Sequence, residues 1–376
     1  MNKIYSFDAF RFILALCVVF GHSYVVLFRQ GPSLIGVQNI AVDGFFILSG
    51  FLMALSLSRN KEKDNDISNV FLAAQKKRFC RLWPEFFFAL LVCFLLKGIF
   101  FNKFDWYAIP FNLALITQVD KFPWIVNGSW YISVLFWAGA LVSYILLSGK
   151  KRSISFYLPL IIFLCLGYIY PTFTHLSLHG TNHFLFDAYS MGFIKGIMDM
   201  SIGIECYFIS KYFAKNKSKI REKYRPYIIR FFEILGLFLM LYAWTAKGVD
   251  KNNFLVLFGY IILVIILSLH KETFLKFLSW KMWRPLAPTA YMIFLTHCAW
   301  LEIIKKYVSY KNYPETFVYI TVVMFCCVFG FVCYYTQKYL FAKIKAFLFD
   351  DNAPILENIK TADAVTGPIK SNAETK

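Results

Sequence analysis

Three stretches of this chain run uncharged for about the length needed to cross a bilayer. Phe12 to Phe28 holds one His and no charge over seventeen residues, and Trp130 to Leu147 and Phe317 to Tyr335 are uncharged throughout. A hydrocarbon core of ~30 Å takes about 20 helical residues, within a range of ~17–25. Barrel strands would be shorter and would alternate in polarity. Of the 376 residues 59% are hydrophobic, above the ~45–50% of soluble domains, and one soluble core of this size could not bury them. The fold class predicted is all-α, a polytopic membrane protein. An ordinary soluble enzyme, a disordered chain and a disulfide-stapled mini-protein are excluded.

Ten spans are predicted, at roughly 9–28, 40–58, 84–101, 130–148, 154–170, 189–213, 228–246, 253–269, 287–304 and 315–337. Basic residues in short loops set orientation. With the N-terminus inside, one side receives the loop 59–83, the run Lys150-Lys151-Arg152, the stretch Lys215 to Arg230, the stretch Lys271 to Arg284 and the end of the last span. Both termini are then cytoplasmic. This orientation requires residues 104–120, which contain Pro110, to form an interfacial or re-entrant piece, because another crossing would turn every later basic loop outward. A transmembrane domain is expected over 1–348 and a disordered cytoplasmic tail over 349–376, where aromatics are lacking. The formal charge of +18 follows from positive-inside sorting and contact with the lipid bilayer, so nucleic acid is not an expected partner.

Of the nine cysteines, eight lie in apolar segments and Cys80 lies in a basic loop. No Cys-x-x-Cys pair occurs, and no metal is expected. His175, His179 and His183 share one loop at a spacing of four, but Pro171 and Gly180 argue against a helix that would align them.

Ionisable groups inside a span face a cavity or a partner, because hydrocarbon penalises them. Arg11 and His22 stand eleven residues apart in the first span, so they share a helix face about 16 Å apart. Asp8 is placed to pair with Arg11. A neutral imidazole can accept a proton from a hydroxyl, and a guanidinium can hold an anion. Arg78 and Arg81 share a face at the mouth of the third span, either as sorted charge or as a paired phosphate site. In the sixth span Lys195 and Asp199 are spaced to pair, while Glu205 needs a partner or a wet cavity. His297, taken alone, reads as a core histidine held by hydrogen bonds.

Asp8-Ala9-Phe10-Arg11 followed after ten residues by His22 resembles the first-helix signature of the acyltransferase-3 family of integral membrane acyltransferases. Asp43-Gly44-Phe45-Phe46-Ile47-Leu48-Ser49-Gly50-Phe51 is similar to its Asp-x-Phe-Phe-x-x-Ser-Gly-Phe motif. Arg78-Phe79-Cys80-Arg81 resembles its Arg-x-x-Arg run. Tyr291 to His297 resembles its late Ser-Tyr-x-x-Tyr-Leu-x-His pattern, with Ala290 and Phe294 replacing Ser and Tyr. The likeness covers roughly residues 4–345. It departs at Leu135, which stands where many members carry the first Glu of a Trp-Ser-Leu-x-Val-Glu-Glu motif.

The resemblance implies a bacterial cytoplasmic-membrane enzyme that moves an acyl group, usually acetyl, from cytoplasmic acetyl-CoA to a hydroxyl of an extracytoplasmic or lipid-linked glycan. No cofactor is bound; acetyl-CoA is a substrate. His22 would be general base or acyl-carrying nucleophile, and Arg11, Arg78 and Arg81 would hold the donor's phosphates. Asp8, Phe46, Ser49, Gly50 and His297 would support the site. A transporter using Arg11, His22 and Glu205 as a polar path, or transfer of another acyl group to a lipid or small molecule, is the alternative. Matched broken helices in two halves, the mark of such a transporter, are not seen.

Overall fold

The computed structural model describes residues 4–28, 37–61, 66–117, 123–149, 151–172, 184–185, 189–215, 224–245, 249–269 and 274–349. A helix of eighteen residues or more overlaps each of the ten predicted stretches: α1 (Tyr5–Leu27), α2 (Val37–Lys61), α3 (Ile67–Phe101), α4 (Ser129–Ser148), α5 (Lys151–Thr172), α6 (Met191–Lys215), α7 (Arg225–Thr245), α8 (Val249–Leu269), α9 (Ala290–Tyr307) and α10 (Glu315–Phe349). Among the described residues, six segments are long and apolar enough to cross a membrane: Tyr5–Phe28, Ala41–Asn60, Ile67–Phe101, Ser129–Ser148, Trp283–Tyr307 and Glu315–Ile344. Six of the ten expected crossings are thus supported; α5, α7 and α8 are not among them, and neither is α6. It carries the Lys195, Asp199 and Glu205 already noted, and it buries Lys195 and Asp199 inside the bundle.

The all-α expectation holds, with one short pairing set among the helices. Phe184–Leu185 and Tyr189–Ser190 pair as two-residue antiparallel strands ahead of α6. The chain divides into two compact units, residues 1–331 and 332–376, and the second contains the end of α10. The tail from residue 350 lies outside the described residues, as do His175, His179 and His183. Everything that follows concerns the first unit.

Residues 104–120 were expected to avoid crossing, and their described part has helical turns of only three and five residues, Trp106–Ala108 and Ile109–Leu113. The segment folds back along α3 and α4. The Trp83 indole N–H donates to the Leu113 carbonyl at 3.4 Å and that of Trp137 to the Leu115 carbonyl at 3.0 Å. Asn112, fully buried, donates to the Ala108 and Pro123 carbonyls and accepts from the Ile125 N–H. Non-helical backbone in hydrocarbon must have its polar groups satisfied, and these side chains meet part of that demand. α3 begins on an Asp66 cap that accepts the Ser68 N–H at 2.9 Å, and it ends at Asn102 in the left-handed conformation (φ 51°). Such a residue closes a helix C-terminus and frees the chain to turn back.

α2 and α6 form the tightest crossing. A Cβ at Gly50 would lie 2.1 Å from the Met200 carbonyl oxygen, and one at Gly203 would lie 2.0 Å from that of Ile47. Small residues admit this backbone approach, which brings Lys195 of α6 onto Asp43 of α2 as a buried ion pair. The sequence spacing had suggested Lys195 with Asp199. The inter-helix pair forms instead, and Asp199, also buried, sits within the field of both. α1 packs against α2, α9 and the irregular segment 274–289, and so occupies the position from which both ends of its polar face meet other helices.

Gly203→Ala is expected to cost about 1–3 kcal/mol by overpacking this crossing, measured as a lower melting temperature of the detergent-purified protein. Gly167→Ala, where an added Cβ meets nothing within 4 Å, should leave that temperature unchanged or raise it.

Candidate active site

α1 is continuous from Tyr5 to Leu27, so Arg11 and His22 do share one face, about 16 Å apart along the axis. The two ends of this face have different surroundings.

At the far end, His22 meets His297 of α9. The rings lie edge to edge and nearly coplanar, with centroids 5.1 Å apart and planes within 10°, and His22 Nδ1 lies 2.8 Å from His297 Nε2. The surroundings of His297 assign the protons. Its Nδ1 is 2.8 Å from the Phe294 carbonyl and 3.2 Å from that of Ile293, and both are acceptors only, so Nδ1 carries a hydrogen. In a neutral ring Nε2 then accepts, and the hydrogen between the rings belongs to His22 Nδ1. His22 Nε2 keeps its lone pair. This is the arrangement of a base oriented by a second group. His297 is therefore more than a core histidine: its backbone bonds fix its tautomer, and its tautomer fixes that of His22.

Cys298 adjoins the pair, its Sγ 3.2 Å from His297 Nε2 and 3.7 Å from His22 Nδ1. One ligand atom from each of the three residues falls within a 4.8 Å group. Two imidazoles and a thiolate suit zinc by ligand type, and the carbonyl behind His297 is the outer partner that such ligands use. No sequence spacing announced this set, because 275 residues separate the two histidines. A metal would need lone pairs on both His22 Nδ1 and His297 Nε2, whereas the hydrogen on His22 Nδ1 already accounts for the 2.8 Å contact.

At the near end, Arg11 borders a cavity of about 590 Å³ between α1, α2, α3 and α4. Among the described residues its wall carries Arg11, Arg59, Lys77, Arg78 and Arg81 against a single carboxylate, Asp8. Asp8 pairs with Arg11 at 3.8 Å, as its spacing predicted. Arg78 is held across α4: it donates to Met53 Sδ at 2.9 Å and approaches the Leu135 carbonyl at 3.5 Å. Its bed exists because residue 139 is glycine, where a Cβ would stand 2.0 Å from the guanidinium NH1. Five cations around one cavity make a site for a multiply charged anion.

The remaining predicted residues separate by role. Ser49 lines the cavity and hydrogen-bonds Tyr131, which puts it with the cations and not beside the histidines. Phe46 is fully buried and packs on Tyr131 with ring centroids 4.8 Å apart. Gly50 serves the α2–α6 crossing. Glu205 does not line the cavity, and its Oε1 has no hydrogen-bond partner among the described residues. Leu135 lines the cavity in place of a carboxylate and offers Arg78 its backbone oxygen.

Sequence reasoning missed Gly139, Met53 and Cys298, and it missed the place of Tyr131 between the two ends. Tyr131 links the two ends: it bonds Ser49 on one side and on the other touches Phe294, one turn before His297, at 5.2 Å. No spacing signal marks these residues, since each matters through a neighbour on another helix.

A bundle of apolar helices that encloses a cation-lined cavity and an oriented histidine defines a multi-pass membrane protein with the parts of a group-transfer enzyme. Residues 4–336 match the family model Acyl_transf_3, described as an acyltransferase domain, and the chain belongs to this acyltransferase-3 family. It is a membrane acyltransferase. No curated protein and no solved structure matches the chain.

Gly139→Ala should push the Arg78 guanidinium out of its bed. The expected result is about tenfold weaker binding of inorganic pyrophosphate by calorimetry, since a charge-assisted hydrogen bond contributes ~1.5–3 kcal/mol.

Proposed function

We propose that this membrane acyltransferase transfers an acetyl group from cytoplasmic acetyl-CoA to a hydroxyl of an extracytoplasmic glycan, with His22 as general base. The observation that carries the reading is the single face of α1, which borders the cationic cavity at Arg11 and holds the oriented His22 some 16 Å further along.

The chemistry follows from those two ends. Coenzyme A carries a diphosphate and a 3′-phosphate, and Arg11, Arg78 and Arg81 would hold them by charge-assisted bonds, with Arg59 and Lys77 adding field. The pantetheine arm would then run along α1 toward His22, past Ser49 and Tyr131. There Nε2 takes the proton of the acceptor hydroxyl as its oxygen attacks the thioester carbonyl. The tetrahedral intermediate collapses, the C–S bond breaks, and the coenzyme A thiolate leaves with the proton returned from His22. The positive charge that forms on His22 is shared through Nδ1–H with His297, which acts as a positioning residue. On this reading the cavity opens to the cytoplasm and His22 lies in the outer half of the membrane. Glycan hydroxyls of a surface polymer or its lipid-linked precursor are the acceptors.

Membranes carrying the intact protein should move label from [¹⁴C]acetyl-CoA into envelope glycan. His22→Ala at equal expression should lower the initial rate by about 10²–10⁴, the contribution of a positioned base. Arg78→Ala should mainly raise KM for acetyl-CoA. An intact protein that moves no label, with donor and glycan present, would overturn the proposal.

A further inference from the structure

Asp8 borders two cavities. Besides the cationic one, it lines a smaller space of about 250 Å³ together with Tyr5, Trp280, Trp283, Arg284 and Pro288. The smaller space forms where the segment 274–289 packs against the start of α1. That segment is anchored: the buried Glu233 carboxylate accepts the Leu275 N–H at 3.0 Å. Trp283 is fixed twice, its indole N–H donating to the Phe277 carbonyl at 2.9 Å and its ring standing 6.1 Å from Phe12 of α1. Arg284 lays its guanidinium over the Tyr5 ring at 5.0 Å. Trp280 is 59% exposed.

The transfer reading gives these groups no task. A carboxylate in the wall of a phosphate site opposes the ligand, yet Asp8 stands where the two spaces meet. Beyond it the lining changes from cations to aromatic rings and one stacked guanidinium. Flat rings and guanidinium planes stack on nucleobases, and a carboxylate accepts hydrogens from an exocyclic amine. Cations on one side and stacking surfaces with an acceptor on the other match a phosphorylated nucleotide whose base carries an amino group.

We propose that this second cavity binds the adenine ring of the acyl donor, with Trp280 and the Tyr5–Arg284 pair as stacking surfaces and Asp8 accepting the 6-amino group. The proposal rests on the coenzyme A reading and adds to it the subsite that tells adenine from other bases. The Asp8–Arg11 pair then joins the base subsite to the phosphate subsite. Trp280 and Trp283 could instead serve as interfacial membrane anchors, but Trp283 gives its indole N–H to the Phe277 carbonyl and turns its ring to Phe12 of α1.

The test uses the full-length protein in nanodiscs and measures dissociation constants by calorimetry. The probes are coenzyme A, 4′-phosphopantetheine, adenosine 3′,5′-bisphosphate and inosine 3′,5′-bisphosphate. In the intact protein the adenosine compound should bind about tenfold more tightly than the inosine compound, whose 6-oxygen faces the Asp8 carboxylate. This comparison needs no variant to fold. Trp280→Ala should weaken coenzyme A about tenfold or more and leave 4′-phosphopantetheine unchanged, while Trp280→Phe keeps most of the affinity. Equal binding of the two bisphosphates overturns the base subsite, as does a Trp280→Ala variant that melts earlier but binds coenzyme A normally, the result expected of a membrane anchor. Failure of the intact protein to bind coenzyme A at all overturns both this subsite and the donor assignment. Normal coenzyme A binding without base discrimination overturns the subsite alone.

Discussion

The hydrogen bond from His22 Nδ1 to His297 Nε2 ties the first long helix to the ninth, and the polar interior is arranged around that tie. In hydrocarbon an imidazole without a partner is costly, so each ring here satisfies the other and backbone carbonyls satisfy the far side of His297. The same contacts settle both tautomers. One nitrogen, His22 Nε2, is left to do chemistry, and its direction is set by a helix that is distant in sequence.

From this tie α1 extends about 16 Å to Arg11, so a single rigid element connects the histidine pair to the cationic cavity. A helix gives more positional precision than a loop would. The close α2–α6 crossing supports the other wall. Gly50 and Gly203 let the backbones meet, and the buried Asp43–Lys195 pair fixes their register. Breaking such a pair leaves an uncompensated buried charge, which makes it a strong constraint on how the helices slide. Ser49 and Phe46 share α2 with Asp43, so the crossing also sets where they meet Tyr131.

Much was legible before any coordinates. The uncharged runs predicted helices where helices occur, because backbone groups in lipid must be satisfied within the segment. That 104–117 would not continue as a long helix was legible from its short length and Pro110. The Asp8–Arg11 pair and the shared face of Arg11 and His22 follow from helical spacing alone. The partner of Lys195 was not legible, because i,i+4 spacing to Asp199 competes with an inter-helix approach that spacing does not encode. Nor was the bed of Arg78, which depends on the missing Cβ of Gly139 one helix away.

The chain's own order of residues thus determined what lies within a single helix: length, polarity, shared faces and local ion pairs, all fixed by the 3.6-residue turn. Tertiary structure decided which helices meet. It placed Cys298 beside the two histidines, brought Asp8 between two cavities, and turned Gly139 into the floor under a guanidinium. The physical reason is that packing joins side chains through contacts between helices far apart in the chain, and those depend on shape rather than on spacing.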